Sequence, residues 1–270
     1  MRIFKQSLSS PEYQTQATLT CYLKDLDPRN DHQQLPAVIY VPGGSYTHIQ
    51  TEQAENICLA FAARHYQCFV LRYSFEDEQT PLLPAPLIEL GKSIALIREN
   101  AAQWQVDPSQ IIPMGFSVGG HVVSLYNDYW RSDWVAKQTQ ATADQLKPNA
   151  AILGYPVIDL QMGFPDDQHR AHQWAGDDLD RFAAQKHVND YNAPTFTWVT
   201  SDDPFVPVAN SLAYSTALAA HNIAQELHIF RHGPHGMALA TAATAWKPDA
   251  DQPHVAHWLT LADEWLKETL

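Results

Sequence analysis

From residue 37 onward, short apolar runs and segments of helical period alternate without a break, and that ordering does most to restrict the fold. "AVIYV" (37–41) is a continuous apolar run of the kind expected for a strand covered on both faces. Residues 51–65 place Ala54, Ile57, Cys58 and Phe61 at helical spacing, and "CFVLRY" (68–73) is the next strand. A proline-studded loop, "TPLLPAP", precedes a helical pattern over 87–104. "QIIPMG" (110–115) predicts a strand and "VGGHVVSLYNDYW" a helix leaving it. "AAILGY" (150–155), "TFTWVT" (195–200) and "ELHIF" (226–230) are further strands, with helices over 207–221 and 253–268. Upstream, "ATLTCYL" (17–23) alternates as a half-buried strand does. The expected architecture is a single α/β domain over 1–270, a mostly parallel sheet with helices on both faces. Pro113 conflicts locally, because a proline inside a central strand has no N–H to give the ladder.

A chain of 270 residues with 45% hydrophobic and 17% charged residues can bury a sizeable core. Its formal net charge of −13 repels phosphate backbones and anionic headgroups, which excludes nucleic acid and membrane surfaces as expected partners. The start, "MRIFKQSLSSPEYQ", has no apolar segment of the signal-peptide kind, and no apolar run approaches a membrane span, so a cytoplasmic location is the expectation. Cys21, Cys58 and Cys68 are an odd count without metal-site spacing, as expected of reduced, buried thiols.

"GFSVGGH" (115–121) carries the chemistry. Gly-x-Ser-x-Gly arises by accident in on the order of one chain in ten of this length, so the pentapeptide alone says little. Between a strand and a helix, however, it makes a sharp elbow that holds Ser117 at its tip with Oγ exposed. The helix beginning near Val118 aims its free N–H groups at the same spot, where a developing oxyanion would be stabilised. Serine needs a base within reach and an acid to hold that base in its tautomer, and in this scheme they follow in the order acid, histidine. After "TFTWVT" come Asp202 and Asp203; after "ELHIF" come His232 and His235. Spacing leaves both choices open. His232 and His235 could instead be metal ligands, but Gly-Pro lies between them and no third ligand has convincing spacing, so no metal and no cofactor are expected.

The remaining histidines have ordinary settings: His228 in a strand pattern, His221 at a helix end, and His65, His187, His254 and His257 without a paired acid. His121, one turn into the helix, is expected to pack or hydrogen-bond there. "VPGGSY" follows the strand at 37–41, where its backbone N–H groups can face the elbow, and Gly44, Ser45 and Val118 are the expected oxyanion donors. The alternative is a plain glycine turn. Tyr46 is a candidate substrate contact that would help set acyl-chain length. Trp130, Trp134, Trp258 and Trp265 could form a homo-oligomer contact, although such spacing more often marks a core.

These residues resemble the α/β-hydrolase fold enzymes, specifically the small esterase/lipase branch that includes bacterial acetyl esterases and acetyl xylan esterase-like proteins. The likeness runs over about 36–240, through "VPGGSY", "CFVLRYS", "DPSQIIPMGFSVGGH", "TFTWVTSDDPFVPVANS" and "ELHIFRHGPHGMALA". It implies that the acid is the aspartate before "PFVP", Asp203, and that the base is the histidine of "GPHG", His235. Two departures stand out: the family's HGGG histidine is Pro42 here and its third glycine is Ser45, which keeps the backbone donors but adds a side chain near the acyl site. The insertion over 156–193, polar and aromatic, suits a small partial cap. The implied activity is hydrolysis of short acyl esters, acetyl above all, through an acyl-enzyme, with a small-molecule ester as partner. The alternatives are a formamidase or peptidase-like amidase on the same fold, and a ligand-binding module that retained the scaffold.

Overall fold

The computed structural model describes residues 1–27, 29 and 33–270. In chain order the elements are β1 (Arg2–Ser7), β2 (Thr18–Leu23), β3 (Leu35–Val41), α1 (Thr51–Ala62), β4 (Gln67–Arg72), α2 (Ala85–Glu99), α3 (Ala101–Trp104), β5 (Val106–Phe116) and α4 (Val118–Tyr129). There follow α5 (Asp133–Thr139), α6 (Ala143–Leu146), β6 (Ala151–Gly154), α7 (Gln168–Ala175), β7 (Thr195–Thr200), α8 (Ala209–Ala220), β8 (Gln225–Phe230) and α9 (Trp258–Thr269). Among the described residues the strands form one eight-stranded sheet in the order β1-β2-β4-β3-β5-β6-β7-β8. β1 and β2 run antiparallel at one edge, and every pairing from β4 to β8 is parallel. This is the α/β-hydrolase arrangement.

Alternation along the central strands divides the core in two. Ala37, Ile39 and Val41 of β3 pack with Leu87, Leu90 and Ile94 of α2 and Val122 and Tyr126 of α4. Val38 and Tyr40 point the other way, into a second cluster with Ile57, Cys58 and Phe61 of α1 and Trp258, Ala262 and Leu266 of α9. Strands buried on both faces have no polar side, which is why they read as continuous apolar runs in the sequence. Three of the four tryptophans considered for a subunit contact, Trp130, Trp258 and Trp265, are buried in these clusters, and Trp134 packs edge-on against Tyr129. Trp130, Trp258 and Trp265 build the core, and Trp134 is half-buried at its edge. The three cysteines are buried and free.

Pro113 is accommodated by where pairing starts. It stands in register with Ile39 of β3, while the β5–β6 ladder begins only at Met114. Two residues earlier, Ile111 exchanges both backbone groups with Asn149, its N–H donating to the side-chain Oδ1 and its carbonyl accepting from the N–H. The missing N–H therefore falls between that anchor and the first β6 pair, and no ladder bond is broken. Among the described residues, β1 is the strand that no apolar run predicts, because its residues are exposed or half-exposed. Among the described residues no helix is long and apolar enough to cross a membrane.

Candidate active site

The site lies at the carboxyl ends of β3, β5, β6, β7 and β8, the edge at which open parallel sheets place their ligands. β5 ends at Phe116, and the chain reverses into α4 through Ser117, which is held at φ 55° and ψ −124°. A non-glycine residue there is strained by about 1–3 kcal/mol, and the surroundings must enforce it. The elbow is locked from both sides: Ser117 N–H donates to the Gly154 carbonyl (3.0 Å), and its own carbonyl accepts from Val157 N–H (3.0 Å). The turn closes only because Gly119 has no side chain; a Cβ there would sit 2.0 Å from the Val41 carbonyl oxygen.

Ser117 Oγ lies 2.8 Å from His235 Nε2, and His235 Nδ1 lies 2.7 Å from Asp203 Oδ2. A carboxylate can only accept, so Nδ1 carries the ring proton, Nε2 is the acceptor, and the serine hydroxyl donates to it. The other oxygen of Asp203 accepts from the N–H groups of Phe205 and Val206 at 2.9 and 3.0 Å. The Asp203 side chain is 1% exposed and that of His235 15%, so the relay is shielded from competing water.

The alternative pair also forms, but elsewhere. His232 Nδ1 donates to Asp202 Oδ2 at 2.7 Å, and Gly233 N–H donates to the other oxygen at 3.0 Å. The His232 hydrogen bond holds the Asp202 carboxyl below its ordinary range. Both side chains are more than half exposed, and their role is to tie the loop after β7 to the loop after β8. The two histidines thus face different acids, and among the described residues no group of three or more His, Cys, Asp or Glu is placed to hold a metal ion.

Facing the elbow, the loop after β3 turns through Gly44 at φ 126°, Ser45 at 53° and Tyr46 at 59°. A Cβ on Gly44 would collide with the His48 carbonyl oxygen at 1.9 Å. Among the described residues the N–H groups of Gly44 and Ser45 have no acceptor, and both residues line the cavity over Ser117. Val118 opens α4, so its N–H is one of the donors a helix leaves unsatisfied. Backbone donors therefore stand on the loop after β3, which lines the cavity, and at the start of α4, next to Ser117.

Tyr46 is a correction. It is fully buried and does not line that cavity. Successive left-handed residues turn its side chain under the loop, where the ring meets Trp174 and Tyr73 at 5.0 and 5.9 Å and the hydroxyl donates to His121 Nδ1 at 2.9 Å. His121 Nε2 in turn donates to the Phe182 carbonyl at 2.7 Å. Burial pushes the His121 imidazole from 6.5 down to about 4. Between these values the unfolded chain binds a proton that the folded chain does not, so stability is complete above about pH 6.5 and is lost as pH falls towards 4, by up to roughly 3 kcal/mol. The melting temperature should fall over that window, and His121→Gln should flatten the fall; thermal scans across pH read both.

The insertion over 156–193 does not roof Ser117 either. It packs Ala171, Trp174, Leu179 and Phe182 into the core and ties Arg170 to Glu76 at 2.8 Å, and the cavity over Ser117 takes no lining residue from it. Instead Tyr155, which was not singled out in the sequence, contributes. Held at φ 36°, it packs edge-on against His235 at 4.8 Å, while its hydroxyl accepts from Ala238 N–H at 3.1 Å. Trp246 Nε1 donates to the His235 carbonyl at 3.3 Å. The available signal for Tyr155 was its place at the carboxyl end of the strand beside the elbow.

Fold and site together place the chain in the α/β-hydrolase class. The BD-FAE family profile matches residues 25–218, and the chain belongs to that family. A protein of Lactobacillus plantarum assigned as a carboxylesterase is 49% identical and superposes with a TM-score of 0.81 over 100% of this chain and 99% of its own. The acetyl ester-xyloside bifunctional hydrolase of Caldicellulosiruptor lactoaceticus is 31% identical, with a TM-score of 0.80 over 97% of this chain and 91% of its own. The acetylxylan esterase of Xylanibacter ruminicola is 24% identical over 243 residues, 83% of this chain and 44% of that protein. The chain spans 34% to 46% of the length of the curated relatives it matches.

Proposed function

We propose that this protein hydrolyses short acyl esters, acetyl esters above all, with Ser117 as nucleophile, His235 as base and acid, and Asp203 as the group that orients the imidazole. The observation that carries it is the unbroken relay of 2.8 and 2.7 Å from Ser117 Oγ through His235 to a buried Asp203. As Oγ attacks the ester carbonyl, its proton passes to His235 Nε2, and Asp203 stabilises the imidazolium without taking a proton. Negative charge gathers on the former carbonyl oxygen, where the N–H groups of Gly44, Ser45 and Val118 are the donors at hand. Collapse breaks the bond to the alcohol oxygen, which takes the proton from Nε2 and leaves an acetyl group on Ser117. Water then attacks that ester, with His235 again accepting a proton and returning it to Ser117 Oγ as acetate departs.

The small cavity supports a short acyl group. The cavity over Ser117 holds about 240 Å³, below the range of roughly 300–1,000 Å³ that encloses drug-sized ligands. Relatives named for acetyl ester and acetylxylan hydrolysis support the same acyl group. In a p-nitrophenyl ester series, kcat/KM should be highest for acetate and at least about 10-fold lower for octanoate, since overpacking costs about 1–3 kcal/mol. Equal turnover of octanoate would refute the acetyl assignment, and better turnover of an aryl formamide or dipeptide amide than of any ester would replace it with an amidase.

A further inference from the structure

The loop after β3 has a sequence ill suited to its shape. Thr47 N–H and Oγ1 both donate to the Gly44 carbonyl at 2.9 Å, closing a four-residue turn whose central residues, Ser45 and Tyr46, have φ 53° and 59°. Positive φ at both central positions is the type I′ pattern, which glycine and asparagine favour and a tyrosine resists. Such a turn persists only where its surroundings enforce it. Its orientation matters, because a trans peptide points its N–H opposite to its carbonyl. With the Gly44 carbonyl drawn into the turn, the Ser45 N–H points out of it, and Ser45 lines the cavity over Ser117.

Two anchors hold the turn at Tyr46. The first is the buried side chain, whose hydroxyl meets His121 Nδ1 at 2.9 Å, while His121 Nε2 meets the Phe182 carbonyl at 2.7 Å. A carbonyl only accepts, so Nε2 carries the ring proton, Nδ1 is the acceptor and the tyrosine donates. The second is the main chain: the Tyr46 carbonyl accepts from Glu76 N–H at 2.9 Å. The Glu76 carboxylate accepts in turn from Arg170 Nη2 at 2.8 Å and Trp174 Nε1 at 2.5 Å. Phe182, Arg170 and Trp174 all belong to the 156–193 insertion, and none of them lines the cavity over Ser117. Both anchors therefore run from the insertion to the loop beneath the cavity. We propose that Tyr46 and His121 are positioning residues for the oxyanion hole, and that the insertion serves the reaction by buttressing this turn. Without the hydroxyl–imidazole bond the turn relaxes towards negative φ and carries the Ser45 N–H away from the developing charge. The proposal rests on ester hydrolysis at Ser117 with Gly44 and Ser45 among the donors, and adds what holds those donors in place.

The test measures p-nitrophenyl acetate turnover per active site, titrated with an organophosphonate, beside the Ki of an alkyl trifluoromethyl ketone. The adduct of that ketone with Ser117 places a negative oxygen among the same donors. Tyr46→Phe keeps the ring and removes only the hydroxyl. It should lower kcat about 10-fold, a fraction of the loss from deleting a donor outright, leave KM within about 2-fold, and raise Ki in proportion to the fall in kcat/KM. His121→Asn, whose Oδ1 stands where Nδ1 does and still accepts from the tyrosine, should lose less than about 3-fold, while His121→Gln, which offers Tyr46 no acceptor at that place, should match Tyr46→Phe. Arg170→Ala, at a half-buried side chain, tests the second anchor and should cost about 3-fold in both kcat and Ki. Should the buried variants fail to fold, unchanged kcat and Ki in Arg170→Ala overturn the buttress. Values within about 2-fold of the wild type in folded Tyr46→Phe, even one that melts lower, overturn the positioning role and leave the esterase reading standing. A wild type that turns over no acetyl ester overturns both.

Discussion

Replacing Ser117 with alanine should lower kcat/KM on acetyl esters by roughly 10⁵-fold while the melting temperature stays close to that of the wild type. The size of the loss follows from what is removed. Oγ is both the atom that bonds to the acyl carbon and the donor that His235 Nε2 deprotonates at 2.8 Å, so without it the covalent route has no entry. The fold should survive, because the strain at φ 55° and the two backbone bonds that hold the elbow belong to the main chain and remain in the alanine variant. Residual turnover, if measurable, would come from oxyanion donors and binding acting on water. A variant that melts normally yet keeps activity within about 10-fold of the wild type would remove Ser117 from the reaction.

Asp203→Asn should cost roughly 10⁴-fold in kcat, and Asp202→Asn less than about 5-fold, although the two residues are adjacent. Asparagine at 203 can present its NH₂ to Nδ1, which favours the tautomer with the proton on Nε2, the nitrogen that must accept from Ser117. Asp203 is also enclosed, at 1% exposure, so nothing from solvent can replace its charge. Asp202 faces His232 with both side chains more than half exposed, and an exposed pair of this kind contributes about 0–1 kcal/mol. Steady-state kinetics on the two variants separates them: comparable losses would mean that the exposed pair shares in the chemistry, and no loss at Asp203 would dismantle the relay.

The contrast between these neighbours shows what could be read from the chain alone. Strands such as β3 and β7 were legible because both faces are buried, leaving uninterrupted apolar runs, and the elbow was legible because close backbone approach demands glycine at 119. The choice between Asp202 and Asp203, or between His232 and His235, was not a matter of spacing. Both pairs form, and only the fold decides which faces Ser117. Resemblance to a family selected the pair that the geometry places beside the serine. Tyr46 went astray because two consecutive left-handed residues rotate its side chain into the core, a conformation without a signature in "GGSY". The insertion over 156–193 looked polar and cap-like, yet Trp174 and Phe182 anchor it to the body, and its Phe164, Pro165, Asp166, Asp167 and Arg170 line a separate cavity with Ser45 and Phe205 instead. For Tyr155 the sequence offers only its position at the carboxyl end of a strand, because its contacts, with His235 and Ala238, are distant in the chain.

The central claim is that three side chains remote in sequence act as one unit on Ser117. Its most direct test is exposure of the folded protein to an organophosphonate ester, with the adduct mapped by mass spectrometry. The predicted result is a single stoichiometric adduct on the peptide carrying Ser117, concurrent loss of esterase activity, no adduct in Ser117→Ala, and much slower labelling in His235→Ala. Folded wild-type protein that stays unmodified, or that loses activity through an adduct on a different serine, would contradict it.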